Sequence, residues 1–224
     1  MATGFASVIL DVDSTLCGIE GIDWLAECRG PAIGAQVTDL TGRAMRGEIA
    51  LDAVYSERLA LVRPGRGEIG ALARAYASSV APGAAQAIER LRAAERRVVL
   101  VSGGIREAIL PLARLLAIAE HDVHAVPVRF DSDGAYGGFD IGSPLATATG
   151  KRAVAASLAL PSRVLAMGDG ATDLAMRSAV DAFAAFTGFV RRESVVGAAD
   201  YVLASFDQLV ELVLADGPAS RAGL

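Results

Sequence analysis

Three short aliphatic runs in this chain each stop at residues that do not belong in a hydrophobic core. Val8-Ile9-Leu10 stops at Asp11-Val12-Asp13-Ser14-Thr15. Val98-Val99-Leu100-Val101 stops at Ser102-Gly103-Gly104, and Val164-Leu165-Ala166-Met167 stops at Gly168-Asp169-Gly170-Ala171-Thr172-Asp173. Runs this short and this rich in branched residues suit strands buried on both faces of a parallel sheet. Helical periodicity separates them, and alternating strands and helices predict an α/β, Rossmann-like, doubly wound parallel sheet. In such sheets ligands gather beyond the carboxyl ends of the strands. The three polar stops fall where a site belongs.

The spacing predicts strands over 5–10, 98–101, 164–167, 182–186 and 201–203. It predicts helices over 106–117, 151–159, 172–179 and 206–215, and another opened by Pro82-Gly83 with Ala84, Ala87, Ile88 and Leu91 on one face. Val123 to Phe130 and Ala135 to Phe139, joined by Asp131-Ser132-Asp133-Gly134, predict a hairpin. No strongly β-like run occurs from 16 to 78, where helices are expected at 22–27, 37–45 and 51–62. The chain thus divides into an α/β core, residues 1–15 and 79–224, and a small helical cap domain, residues 16–78, inserted after the first strand.

Composition narrows the function. Apolar residues make up 53% of the 224, ample for a packed core. The net charge of −5 disfavours nucleic acid, whose phosphates demand a basic face. Two cysteines, Cys17 and Cys28, make neither a disulfide framework nor a zinc site and are expected as free, buried thiols. No apolar run is long enough to cross a bilayer, and no basic, then apolar leader is visible. The expectation is a cytoplasmic protein acting on a small molecule, monomer or homodimer, with no nucleic-acid or membrane partner.

The polar stops carry chemistry. Asp11 and Asp13 stand too close to be buried together cheaply. They form either an acidic turn or one wall of a divalent-metal site, in which a carboxylate could attack a phosphoryl group. Ser102-Gly103-Gly104 is a turn, or a place where backbone N–H groups and a hydroxyl meet an anion. Lys151, the sole lysine among 21 cations, stands at a helix start, where an anion would be favoured. Asp169 and Asp173 would repel a pyrophosphate, so this glycine pattern is no dinucleotide fingerprint; the acids suit a metal, and the alternative is a helix N-cap by Asp169 or Thr172. Arg58 falls within the stripe Leu51, Val54, Tyr55, Val62 and needs an anion, either a protein acid or a substrate carboxylate. Glu20, between Ile19 and Gly21, is a helix-start charge or a seat for a substrate ammonium.

Taken in order, Asp-x-Asp-x-Thr, Ser-Gly-Gly, a lysine and Gly-Asp-Gly-x-x-Asp resemble the four motifs of the haloacid-dehalogenase-like phosphohydrolases. Further stretches are similar to the phosphoserine-phosphatase branch: Glu20-Gly-Ile-Asp23, Arg43-Ala-Met45, Glu57-Arg58-Leu59-Ala60-Leu61 and Asp181-Ala-Phe183. The resemblance runs from about residue 7 to 212. It implies hydrolysis of O-phospho-L-serine to serine and phosphate through an aspartyl-phosphate, the last step of serine biosynthesis, with Mg²⁺ as cofactor. Asp11 would be nucleophile and metal ligand. Asp13 would be general acid and base, ligating the metal through its backbone carbonyl, and Asp169 the third ligand, supported by Asp173. Ser102, Gly103 and Lys151 would bind the phosphoryl group. Glu20 would take the substrate ammonium and Arg58 its carboxylate, with Met45 and Thr172 nearby. Leu51 and Arg46 depart from the branch, which often has Phe and Gly there. The alternatives are a related phosphatase or phosphotransferase acting on another small phosphorylated metabolite, and a non-catalytic metabolite-binding module.

Overall fold

The structure is a computed structural model that describes residues 4–45, 48–49 and 51–215. β1 (Ser7–Leu10) is followed by four helices, α1 (Gly21–Cys28), α2 (Pro31–Met45), α3 (Leu51–Val62) and α4 (Arg66–Ser78). The chain then alternates: α5 (Ala84–Ala93), β2 (Arg97–Ile105), α6 (Arg106–Leu115), β3 (Val123–Val126), β4 (Val128–Phe130), β5 (Tyr136–Phe139), α7 (Gly150–Ser157), β6 (Val164–Gly168), α8 (Ala171–Leu174), β7 (Ala182–Phe186), α9 (Glu193–Val196), β8 (Tyr201–Leu203) and α10 (Phe206–Leu214). Short 3₁₀ turns occupy Glu120–Asp122, Pro144–Ala146 and Ala175–Ser178.

Six strands form one sheet in the order β3-β2-β1-β6-β7-β8, all parallel. β1 is central, and all four of its residues are buried, as its unbroken apolar run requires. Leu10 registers with Leu100 on one side and Met167 on the other. Asp11, Ser102 and Asp169 therefore stand at nearly the same level along the sheet. The chain steps outward from β1 through β2 to β3 on one side and from β6 through β7 to β8 on the other. The reversal lies between β1 and β6, the point where open α/β sheets hold ligands. One hydrophobic core joins the sheet to its flanking helices and to the inner faces of α1, α3 and α4.

Several elements differ from expectation for identifiable reasons. Val123 to Phe130 is not one hairpin strand. Pro127, which has no N–H to give a ladder, divides it into β3, which joins the main sheet, and β4, which pairs antiparallel with β5. β2 runs on through Ser102-Gly103-Gly104 to Ile105, with its register against β3 broken between Val101 and Ile105. The helix expected over 172–179 is one α-turn, α8, that tightens into the 3₁₀ turn. α4 and α9 were not anticipated. Along α3 the face buried in the main core is Tyr55, Leu59 and Val62, while Val54 packs with Leu40 of α2 in a small separate cluster. Cys17 is buried but Cys28 is exposed; both are free. Arg46 lies outside the described residues, as do the side chains of Met45 and Leu51. Among the described residues no helix is long and apolar enough to cross a membrane.

Candidate active site

Three carboxylates converge at the reversal point. Asp11 follows β1, Asp169 follows β6, and Asp173 lies on α8; each offers an oxygen within 4.8 Å of the other two. All three are buried. Asp11 stays tied to the sheet, its N–H donating to the Met167 carbonyl at 3.0 Å. Asp173 is turned inward by the backbone: its Oδ2 accepts from Gly170 N at 2.9 Å and so closes the first turn of α8. Neither Asp169 nor Thr172 caps that helix. Gly168 makes this possible, because a Cβ there would lie 2.3 Å from the Asp173 carboxyl carbon.

Lys151 stands at the second residue of α7, buried between the acids. Its Nζ donates to Asp11 Oδ1 and to Asp173 Oδ1, each at 2.6 Å. Burial works against its charge, but the Asp11 and Asp173 carboxylates more than offset this and hold its pKa above the usual lysine value. The position depends on Gly150. A Cβ there would lie 1.7 Å from the Pro144 carbonyl oxygen, so the start of α7 is pressed onto the 3₁₀ turn at 144–146.

Asp13 faces elsewhere. Its Oδ1 accepts from Tyr76 Oη at 2.6 Å and from Gly21 N at 2.9 Å, both supplied by the helices between β1 and β2. Desolvation, then the charge of Glu20, pushes Asp13 up to about 7, against the pull of those two hydrogen bonds. Gly104 lies close beside it: a Cβ on Gly104 would lie 3.0 Å from Asp13 Oδ2. Ser102, fully buried, accepts from Gly104 N at 2.9 Å and so shapes the end of β2. Gly103 is half-buried next to it, facing the 3₁₀ turn at Leu145.

Burial and the neighbouring Asp173 push Asp169 up to about 6, against the pull of Arg192. Arg192 reaches Asp169 Oδ2 with Nε at 3.0 Å and Nη2 at 2.9 Å, and Thr15 Oγ1 donates to its Oδ1 at 3.4 Å. Burial and Asp173 likewise raise Asp11, against Lys151. Among the described residues, five acids, counting Glu20, stand around these contacts with two cations, Lys151 and Arg192. A donor set of buried carboxylate oxygens with surplus negative charge fits a hard divalent cation and excludes a soft, thiolate-seeking one.

The helices after β1 supply two more of the expected residues. Glu20 Oε1 accepts from Ser14 Oγ at 2.7 Å, and Ser14 holds a left-handed backbone, φ 52°. Arg58 is paired through Nη2 with Asp23 of α1, so the protein-acid alternative holds for that edge of its guanidinium. Thr172 is half-buried on α8 beside Asp173. Asp23, Tyr76 and Arg192 were not anticipated. Arg192 sits in the polar stretch Arg191-Arg192-Glu193, which reads as solvated, and nothing local distinguishes it from its neighbours.

A family profile of haloacid dehalogenase-like hydrolases matches residues 5–181. The chain is 35% identical over 207 residues to the phosphoserine phosphatase of Rattus norvegicus, spanning 91% of each. It is 34% identical over 209 residues to the chloroplastic phosphoserine phosphatase of Arabidopsis thaliana, spanning 91% of this chain and 70% of the relative. The crystal structure of a phosphoserine phosphohydrolase-like protein from Francisella tularensis superposes with a TM-score of 0.80 at 25% identity, covering 93% of this chain and all of that one. With its acids and lysine gathered at the carboxyl ends of the central strands, and with this identity over most of its length, the chain belongs to the haloacid dehalogenase-like hydrolases, in their phosphoserine phosphatase family.

Proposed function

We propose that this protein is a metal-dependent phosphatase that hydrolyses O-phospho-L-serine to L-serine and phosphate. The observation that carries the reading is the separation of two roles between carboxylates only two residues apart. Asp11 is drawn into the acid cluster with Lys151, while Asp13, two residues on, is held apart by Tyr76 and Gly21.

Asp11 Oδ attacks phosphorus in line with the serine oxygen; the new P–O bond forms as the P–O bond to serine breaks. Asp13, protonated near neutral pH, gives its proton to the departing serine oxygen. The Asp13 carboxylate then takes a proton from water, the water oxygen bonds to phosphorus, and Asp11 is released. Ser102, Gly103 and Lys151 bind and neutralise the phosphoryl oxygens through both steps. Asp11, Asp169 and the Asp13 backbone carbonyl would hold Mg²⁺, with Asp173 in support. Bound there, the ion neutralises charge that two carboxylates and a phosphate would otherwise concentrate in one place.

Residues 16–78 serve as the cap. Glu20 takes the substrate ammonium and Arg58 its carboxylate, with Met45 and Thr172 beside them. The relatives' names, phosphoserine phosphatase, support this choice of substrate. The test is phosphate release from O-phospho-L-serine by the purified protein with Mg²⁺ and with chelator. Metal-dependent release is expected; release from a panel of other phosphorylated metabolites in preference to phosphoserine would overturn the substrate assignment.

A further inference from the structure

α3 carries two buried polar atoms that no protein group satisfies: the Tyr55 hydroxyl and Nε of Arg58. Three residues apart on one helix, they lie on the same face. An unpaired buried hydroxyl is costly, and a phenylalanine would fill the same space without it. Tyr55 is nevertheless only 9% exposed. Its ring packs edge-on against Phe139 of β5, centroids 5.2 Å apart, so its direction is fixed by the hairpin. Asp13 and Arg58 are the charged groups that act on the hydroxyl most strongly. Burial first, and Asp13 next, keep it protonated, so it is a neutral donor.

We infer that Tyr55 is a specificity-determining residue, its hydroxyl donating to the carboxylate of the substrate's amino-acid head group beside Arg58 Nε. The inference rests on the phosphoserine reading of the site. The chemistry of the remaining groups selects the partner. An ammonium could donate to the Tyr55 hydroxyl oxygen but would be repelled by the Arg58 cation and cannot accept from its Nε, and the phosphoryl oxygens belong to Ser102 and Lys151 on the sheet side. A carboxylate offers two oxygens, one for each donor on this helix face.

The test is Tyr55→Phe, assayed on O-phospho-L-serine and on para-nitrophenyl phosphate, which has no carboxylate. The ratio of kcat/KM for phosphoserine over the aryl ester should fall about tenfold, through KM rather than kcat, the size expected for one lost hydrogen bond to a charged group. The melting temperature should stay at or above that of the parent, since an unpaired hydroxyl is removed. Tyr55→Leu should lose the same ratio, which separates the hydroxyl from the ring. An unchanged ratio, or equal losses on both esters, overturns the assignment to Tyr55. A parent protein that does not hydrolyse phosphoserine overturns the reading of the whole site instead.

Discussion

The roles proposed for Asp11 and Asp13 differ because of what each carboxylate touches. Asp11 accepts from Lys151 and sits within the acid cluster, the placement the proposed nucleophile needs. Asp11→Asn should abolish turnover while leaving the far-ultraviolet dichroism spectrum unchanged; phosphate release at the parent rate would refute its assignment as nucleophile. Asp13→Asn should lower kcat by roughly 10²–10⁴-fold, the usual worth of a positioned acid and base. Arg58→Ala should lower kcat/KM for phosphoserine by about 10–100-fold, as loss of a charge-assisted hydrogen bond does, and leave a simple aryl phosphate far less affected. Steady-state kinetics on both esters decide it. The acids were legible in the sequence because each interrupts an aliphatic run, where a charge has no other reason to be. Tyr55 was not, because an aromatic on a helical stripe reads as core, and only the missing partner for its hydroxyl shows otherwise. Tyr76 and Asp23 were hidden for a related reason: their partners lie 63 and 35 residues away.

At the scale of elements, the site is assembled by helix starts pressed against strand ends. α7 shows how tight this is. Its first residue must be glycine because the Pro144 carbonyl occupies the space of a Cβ, and its second residue is Lys151. Gly150→Ala should therefore shift α7 away from the 144–146 turn and carry Lys151 with it. The expected cost is about 1–3 kcal/mol, typical of overpacking at a site closed by backbone. The melting temperature falls by a few degrees per kcal/mol at this chain length. Inhibition by inorganic phosphate should weaken in parallel; a lower melting temperature with unchanged phosphate inhibition would show that Lys151 does not depend on this packing. The strands of the main sheet were readable because β-branched runs bounded by glycine and acid have few other uses. Two signals were misweighed. Pro127 marks the change from sheet to hairpin, and its missing N–H should have divided the run. The segment 66–78 lacks a strong stripe of large aliphatics, yet α4 forms, with Ile69, Leu72, Ala73 and Tyr76 buried as its core-facing row.

Across the whole molecule, the fold concentrates negative charge at the carboxyl ends of the central strands and leaves it under-compensated, which makes stability depend on protons and metal together. Asp169 and Asp13 stand above the ordinary 3.8, at about 6 and about 7. An acid raised on folding stabilises the fold while it is protonated, fully so below its unfolded value, and loses that contribution as pH rises through its folded value. In the metal-free protein these two acids should therefore withdraw stability as pH climbs from about 4 to about 7. A divalent cation acts in the other direction: it binds the ionised carboxylates, stabilises the folded state by mass action, and competes with protons for the same oxygens. Melting curves in chelator and in millimolar Mg²⁺, at pH 5 and pH 7.5, should show a metal-induced rise that is larger at pH 7.5. Asp169→Asn should flatten the metal-free decline and shrink the Mg²⁺ response at both pH values, because it removes one raised carboxylate and one proposed ligand at once. A metal response equal at the two pH values, or one that survives Asp169→Asn intact, would place the cation somewhere other than the acid cluster between β1 and β6.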